Sequence, residues 1–180
     1  MKSRLSRSFA AILFAVFLSI FFVGVVYAAN YLGTGYFQTN NLNRCHIGSY
    51  YSSQAQYASG TWSATTDLNM YYNCSGVHIW TSGMDYGNTG WAGYAYICNT
   101  SGQCDNQSAF DGTYRDCTAR LNQYYLKNND DNSIKWIALH EMGHCYSLGH
   151  RSGSTTVMNT QGITVLQPNQ TDKDLINARY

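Results

Sequence analysis

Glutamate is nearly absent from this chain. Ten side chains carry a carboxylate, and Glu141 is the one glutamate among them. Proline occurs once, at Pro168, and charged residues make up only 12% of the 180 positions. No internal repeat and no long linker divides the sequence. The first 28 residues hold three basic and no acidic side chains, so the remainder carries eight basic against ten acidic groups, a net charge of −2. A balance this close to neutral excludes a dedicated nucleic-acid binder, which needs a basic surface to meet phosphate.

What is present begins with an export signal. Lys2, Arg4 and Arg7 give a basic start, Phe9 to Tyr27 is almost wholly apolar, and Val26-Tyr27-Ala28 offers small residues where a signal peptidase reads. We therefore expect a signal peptide over 1–28 and a single domain over 29–180, released to the exterior without stable membrane association. The apolar run is also long enough to span a bilayer, which leaves an uncleaved N-terminal anchor as the alternative. The domain is large enough to bury a sizeable core on its own, and a monomer is expected.

Six cysteines, at 45, 74, 98, 104, 117 and 145, all follow the signal. Export favours disulfides, and six cysteines allow fifteen pairings. The short, turn-rich loop between Cys98 and Cys104 favours a local bridge there. Cys145 reads as a packing or bridging residue. Asn73, Asn99, Asn106 and Asn169 open glycosylation sequons. The sixteen tyrosines suit strand surfaces and loop packing.

The chemistry is concentrated in His140-Glu141-Met142-Gly143-His144. Residues four apart lie on one face of a helix, so His140 and His144 can offer their imidazoles to one metal ion. Glu141, about 100° round the helix from His140, can flank the metal as a base without ligating it. A catalytic zinc needs a third protein ligand and an open position. No glutamate follows Glu141. His150 is near and of suitable chemistry. To reach the metal the chain must turn back after His144, and Gly149 can support such a turn. His46 and His78 read as ordinary half-buried residues.

The run from His140 through Glu141 and His144 to His150, followed by Val157-Met158, resembles the zinc signature and Met-turn of the metzincins, and the chain looks matrixin-like. The family glycine of that signature falls on Ser147, so either the helix ends differently or Ser147 itself adopts the tight turn. Trp62-Ser63-Ala64-Thr65-Thr66-Asp67-Leu68 resembles the end of the first matrixin helix and the strand after it. Gly90 to Ala95 resembles the edge strand above the cleft, and Asp174 to Tyr180 the last helix.

The resemblance implies an α+β zincin domain: a twisted mixed sheet whose edge strand overhangs a cleft, a zinc helix and a C-terminal helix. It implies Zn²⁺ held by His140, His144 and His150, Met158 supporting the site from below, and Glu141 as general base in peptide-bond hydrolysis by zinc-activated water. Substrate would lie extended along residues 91–97, against Trp91, Ala92, Gly93, Tyr94 and Ala95, with residues 159–167 walling the pocket for the side chain after the cut bond. Gly93 would let the substrate backbone approach closely. The expected activity is that of a secreted zinc metalloendopeptidase acting on proteins or peptides. The alternatives are a zinc hydrolase of cell-wall peptides or amides, and a secreted zinc-containing binding module without catalysis. Ten acidic side chains leave little for a calcium shell like that of animal matrixins.

Pattern reading places a helix over 50–62 and strands over 68–72, 77–81, 91–98 and 116–126. Arg44-Cys45 reads as part of a strand. The zinc helix is capped by Asn132 or Ser133 and keeps helical spacing to Leu148. Thr171 and Asp174 form a capping box for the last helix.

Overall fold

The computed structural model describes residues 31–105 and 107–180. The signal peptide expected over 1–28 and the sequon at Asn106 lie outside the described residues. Five strands form one sheet: β1 (Asn41–Gly48), β2 (Asn69–Tyr72), β3 (Ile79–Met84), β4 (Gly93–Asn99) and β5 (Tyr114–Asn122). Their order is β2-β1-β3-β5-β4. β1 pairs in parallel with β2 and β3, β3 pairs in parallel with β5, and β4 is the antiparallel edge strand. The sheet is mixed as expected. Among the described residues no helix is long and apolar enough to cross a membrane.

Helices α1 (Ser52–Thr65) and α3 (Asp131–Cys145) pack on each other, and α3 also meets β4 and β5. α1 buries Ala55, Ala58 and Trp62, whose three- and four-residue spacing makes one stripe. Trp62 is fully buried and its indole N–H donates to the Leu139 carbonyl at 3.1 Å, so the polar edge of the largest core side chain is satisfied by the helix that carries the histidines. Truncating such a residue to alanine typically costs about 3–5 kcal/mol.

The boundaries depart from the sequence pattern where side chains redirect the backbone. The strand expected over 116–126 ends at Asn122, because the Asn122 side chain accepts from Tyr124 N and starts the helical turn α2 (Gln123–Leu126). Asp130, rather than Asn132 or Ser133, caps α3; its carboxylate accepts the N–H groups of both those residues. The capping box of α4 (Gln170–Asn177) lies between Asn169 and Asp172, two residues before the pair expected. The edge strand starts at Gly93, so Trp91 and Ala92 precede it. The Trp91 ring instead stacks on Tyr94 at 5.5 Å and tilts against Tyr86 at 5.1 Å.

Three disulfides join Cys45 to Cys74, Cys98 to Cys104 and Cys117 to Cys145. The second is the expected local bridge. The third ties the C-terminal end of α3, next to His144, to the centre of β5. Two sequon asparagines have structural partners: Asn99 is buried with its amide hydrogen-bonded, and the half-buried Asn169 caps α4.

Candidate metal centre

α3 carries His140 and His144 one turn apart, and the chain after it returns His150 to the same point. The Nε2 atoms of His140 and His150 are 3.1 Å apart, and those of His144 and His150 3.2 Å. Among the described residues these three histidines form the one cluster whose ligand atoms all lie within 4.8 Å of one another. His46 and His78 stand apart. His46 bonds to Thr81 and the Tyr50 carbonyl, and His78 accepts from Asn43 N.

The tautomers follow from their partners. Nδ1 of His140 faces the Val157 carbonyl at 2.8 Å and Nδ1 of His144 the Leu148 carbonyl at 2.7 Å. A carbonyl only accepts, so both Nδ1 atoms carry the proton and both Nε2 atoms present lone pairs. His150 can give one Nε2 proton at most. At least one of the two close approaches therefore sets lone pair against lone pair. A divalent cation removes that conflict. Three nitrogens at about 2.0–2.1 Å from a tetrahedral zinc lie roughly 3.3 Å from one another, close to the spacing present here. The donor set fits a metal ion. Burial adds to the fit, holding the His140 imidazole down at about 4 and that of His144 at about 3, so both are the neutral form that ligates.

The turn that brings His150 round is made at Ser147, not Gly149. Ser147 has φ 71°, the left-handed conformation, and Gly149 does not. A non-glycine residue there costs about 1–3 kcal/mol. Ser147 is held in place from three sides. Its N–H donates to the His144 carbonyl at 2.8 Å, its carbonyl accepts from Leu32 N at 2.8 Å, and its hydroxyl oxygen accepts from Arg179 Nη1 at 2.6 Å.

Beneath α3 lies Met158, fully buried. A Cβ on Gly143 would come within 2.3 Å of the Met158 sulfur, so Gly143 is glycine because the thioether lies against the helix backbone there. The loop holding Met158 is fixed by a residue the sequence pattern did not single out for this purpose. Asp172, wholly buried, accepts from Arg151 Nη1 at 2.7 Å, Thr156 Oγ1 at 2.6 Å, Val157 N at 3.1 Å and Asn169 N at 3.1 Å. Through the Val157 backbone, whose N–H it holds and whose carbonyl faces His140 Nδ1, it reaches the His140 imidazole.

Glu141 lies beside the three histidines, almost fully buried. Burial pushes its carboxyl up to about 8, opposed by a hydrogen bond from the Ala95 backbone N–H. A cation held by the adjacent histidines would favour its charged form. Gly93 has its bare face turned toward Glu141 and not toward open cleft. A Cβ there would lie 2.5 Å from Glu141 Oε1 and 2.6 Å from Ile137 Cγ2. The missing side chain at Gly93 thus makes room for the carboxylate. Gly93→Ala should lower kcat as well as kcat/KM, by about tenfold or more, while metal content is kept. An unchanged kcat would mean that Glu141 does not depend on this contact.

The cleft opens to both sides of the histidines. On one side a cavity of about 330 Å³ is lined by Ala92, Gly93, Trp136, Ile137 and the loop residues Asn159, Thr160 and Gly162. Asn159 shapes that loop, donating to the carbonyls of Thr156 and Ile163 and accepting from the N–H groups of Gln161 and Ile163. Residues 163–167 do not line the cavity. On the other side a cavity of about 230 Å³ is lined by Leu32, Tyr94, Ala95, Asp105 and Phe110. Above the cleft, alternate residues of β4 turn their backbone groups outward: Gly93, Ala95 and Ile97. One of those groups is taken, since the Ile97 carbonyl accepts from Asp105 N at 2.9 Å. The open edge is thus shorter than residues 91–97.

No protein-family model matches this chain, and no curated protein matches it. Two solved structures, both of myroilysin, are similar in fold. One has a TM-score of 0.54 at 13% sequence identity, with 81% of this chain and 85% of that chain covered. The other has a TM-score of 0.50 at 13% identity, with 81% of this chain and 95% of that one covered. At this identity the likeness is one of fold: this chain shares the mixed-sheet architecture of myroilysin over most of both molecules, with a three-histidine site able to hold a metal.

Proposed function

We propose that this chain is a zinc-dependent metalloendopeptidase of metzincin type, exported and acting on proteins or peptides in an oxidising, extracellular setting. The observation that carries the reading is the convergence of three Nε2 atoms beside the buried Glu141 carboxylate, on the floor of a cleft roofed by an unpaired strand edge. The three disulfides fit the compartment.

Zinc held by His140, His144 and His150 would supply Lewis acidity, polarising the scissile carbonyl and making water more acidic. The chain's own residues do the rest. His140 and His144 are locked in the ligating tautomer by the carbonyls of Val157 and Leu148. Glu141 takes the proton of the attacking water and returns it to the leaving amine. Gly93 and the Ala95 carbonyl pair with an extended substrate backbone, which favours unfolded segments over helices. The cavity walled by Asn159, Thr160 and Gly162 receives the side chain after the cut bond. None of these steps calls for a second subunit or a nucleic-acid surface.

A broad peptide-library digest tests the reading. The secreted protein should cleave within peptides, lose activity to a chelator and regain it with one equivalent of Zn²⁺. A protein that binds one zinc and cuts no peptide would be a binding module. One that releases only cell-wall peptides or amides would be the narrower hydrolase.

A further inference from the structure

The two sides of the cleft differ in charge. The residues lining the cavity beside Asn159 include no charged side chain except Glu141. The opposite cavity holds Glu141 and one further carboxylate, Asp105. Asp105 has no ion-pair partner among the described residues. Its position is built rather than incidental. The Cys98–Cys104 disulfide closes the loop before it, and the Asn99 amide braces that loop, donating to Gln103 Oε1 at 2.9 Å and accepting from Ser101 N at 3.0 Å. Asp105 then takes the left-handed conformation, φ 54°, donates its N–H to the Ile97 carbonyl and accepts from the Tyr94 hydroxyl. The effect is to occupy the edge of β4 at Ile97, so that a strand lying along Gly93 and Ala95 runs up against Asp105.

We propose that Asp105 closes the cleft with an acidic subsite that selects a positively charged group of the substrate on the N-terminal side of the cut bond. The proposal rests on the peptidase reading given above. Its direction follows from an antiparallel approach to β4: that strand runs from Gly93 toward Asn99, so the N-terminal part of the substrate lies toward Ile97 and Asp105. Leu32 and Phe110 line the same cavity and offer apolar surface for the methylene stem of a lysine or arginine, with the carboxylate at its end for the charge. A substrate whose own α-ammonium reached this point would satisfy the same chemistry.

The test uses N-acetylated peptides that differ only in carrying Arg, Gln or Glu at each of three positions on either side of the bond. The parent should favour Arg over Glu in kcat/KM by about tenfold at one position before the bond, and high salt should narrow the gap, because Asp105 is exposed. In Asp105→Asn the Arg-to-Glu ratio should fall toward one. Asparagine tolerates the left-handed backbone and can still accept from Tyr94, so loss of fold does not confuse the result. Matched peptides that begin at that position with a free amine and a neutral side chain separate the two sources of charge. A preference for Arg in acetylated peptides assigns the side chain, and a preference for the free amine alone assigns the terminus. No preference, a preference after the bond, or one that survives Asp105→Asn overturns the proposal. If nothing is cleaved, the peptidase reading has failed, and the same Arg and Glu peptides are titrated as ligands. Tighter binding of the Arg peptide to the parent than to Asp105→Asn still supports the subsite, and equal binding overturns it.

Discussion

Glu141→Gln should keep its metal and lose peptide hydrolysis by a factor of about 10² to 10⁴, the usual contribution of a positioned proton acceptor. The substitution is suited to the site because little else changes. Glutamine has the same length and shape, and its carbonyl oxygen can accept from the Ala95 N–H as the carboxylate does. Glu141 is not one of the three residues whose ligand atoms converge, so metal content is expected to stay at one per chain. Only the ability to take and return a proton is removed. Zinc analysis and kcat/KM on one peptide, measured on the same sample, separate the outcomes. Near-parental turnover with zinc bound would take Glu141 out of the reaction. Loss of zinc together with activity would make it a structural support for the histidines. The effect should be larger than that of Gly93→Ala, which displaces the same carboxylate without removing its chemistry.

The parts of this site that could be read from sequence are those whose geometry is local. His140 and His144 share a face because a helix repeats every 3.6 residues, and no distant contact is needed to infer it. His150 followed from chemistry and proximity, and the lone glutamate from composition. The turn between them could not be assigned with the same security. Glycine's freedom pointed to Gly149 and the family signature to Ser147; the fold strains Ser147, which Arg179, thirty-two residues further on, holds by donating to its hydroxyl. The same division runs through the fold. α1 and α3 are periodic and were legible. β1 mixes Asn41, Asn43, Arg44 and His46 with Leu42, Cys45 and Ile47, so its interior place between β2 and β3 shows only once the sheet is assembled. The edge strand was found, but not the event that shortens it. Asp105 meets Ile97 through a disulfide-closed loop, and spacing alone does not say which way such a loop folds.

Asp172 belongs to that non-local part, and its replacement should be the most damaging single change outside the histidines and Glu141. Its two oxygens face four donors and no acceptor. Oδ1 takes Arg151 Nη1 and Thr156 Oγ1, and Oδ2 takes the backbone N–H groups of Val157 and Asn169. In Asp172→Asn one oxygen becomes an NH₂ group. An NH₂ in place of Oδ2 meets two backbone N–H groups, and one in place of Oδ1 meets Arg151 and can keep only the Thr156 hydroxyl by turning it to accept, so at least one hydrogen bond is lost and the largely buried Arg151 has no counter-charge either way. Breaking a buried pair on one side costs about 3–5 kcal/mol, a large share of the roughly 5–15 kcal/mol that holds a domain together. The melting temperature should fall by on the order of 10 °C. The loss should also reach the metal, because Asp172 holds the Val157 N–H while the carbonyl of the same residue accepts the Nδ1 proton of His140 at 2.8 Å. Loosening an outer partner of a ligating histidine typically weakens metal binding about 10- to 100-fold. Asp174→Asn is the control: Asp174 lies on the same helix, is not among the buried residues, and accepts from Gln170 Nε2. Melting curves and zinc competition against a chelator should separate the two variants. If Asp172→Asn melts and holds zinc as Asp174→Asn does, the chain from α4 through the Met158 loop to His140 does not carry the site. If it loses stability but binds zinc as tightly as the parent when folded, the network supports the fold and leaves the imidazole independent of it.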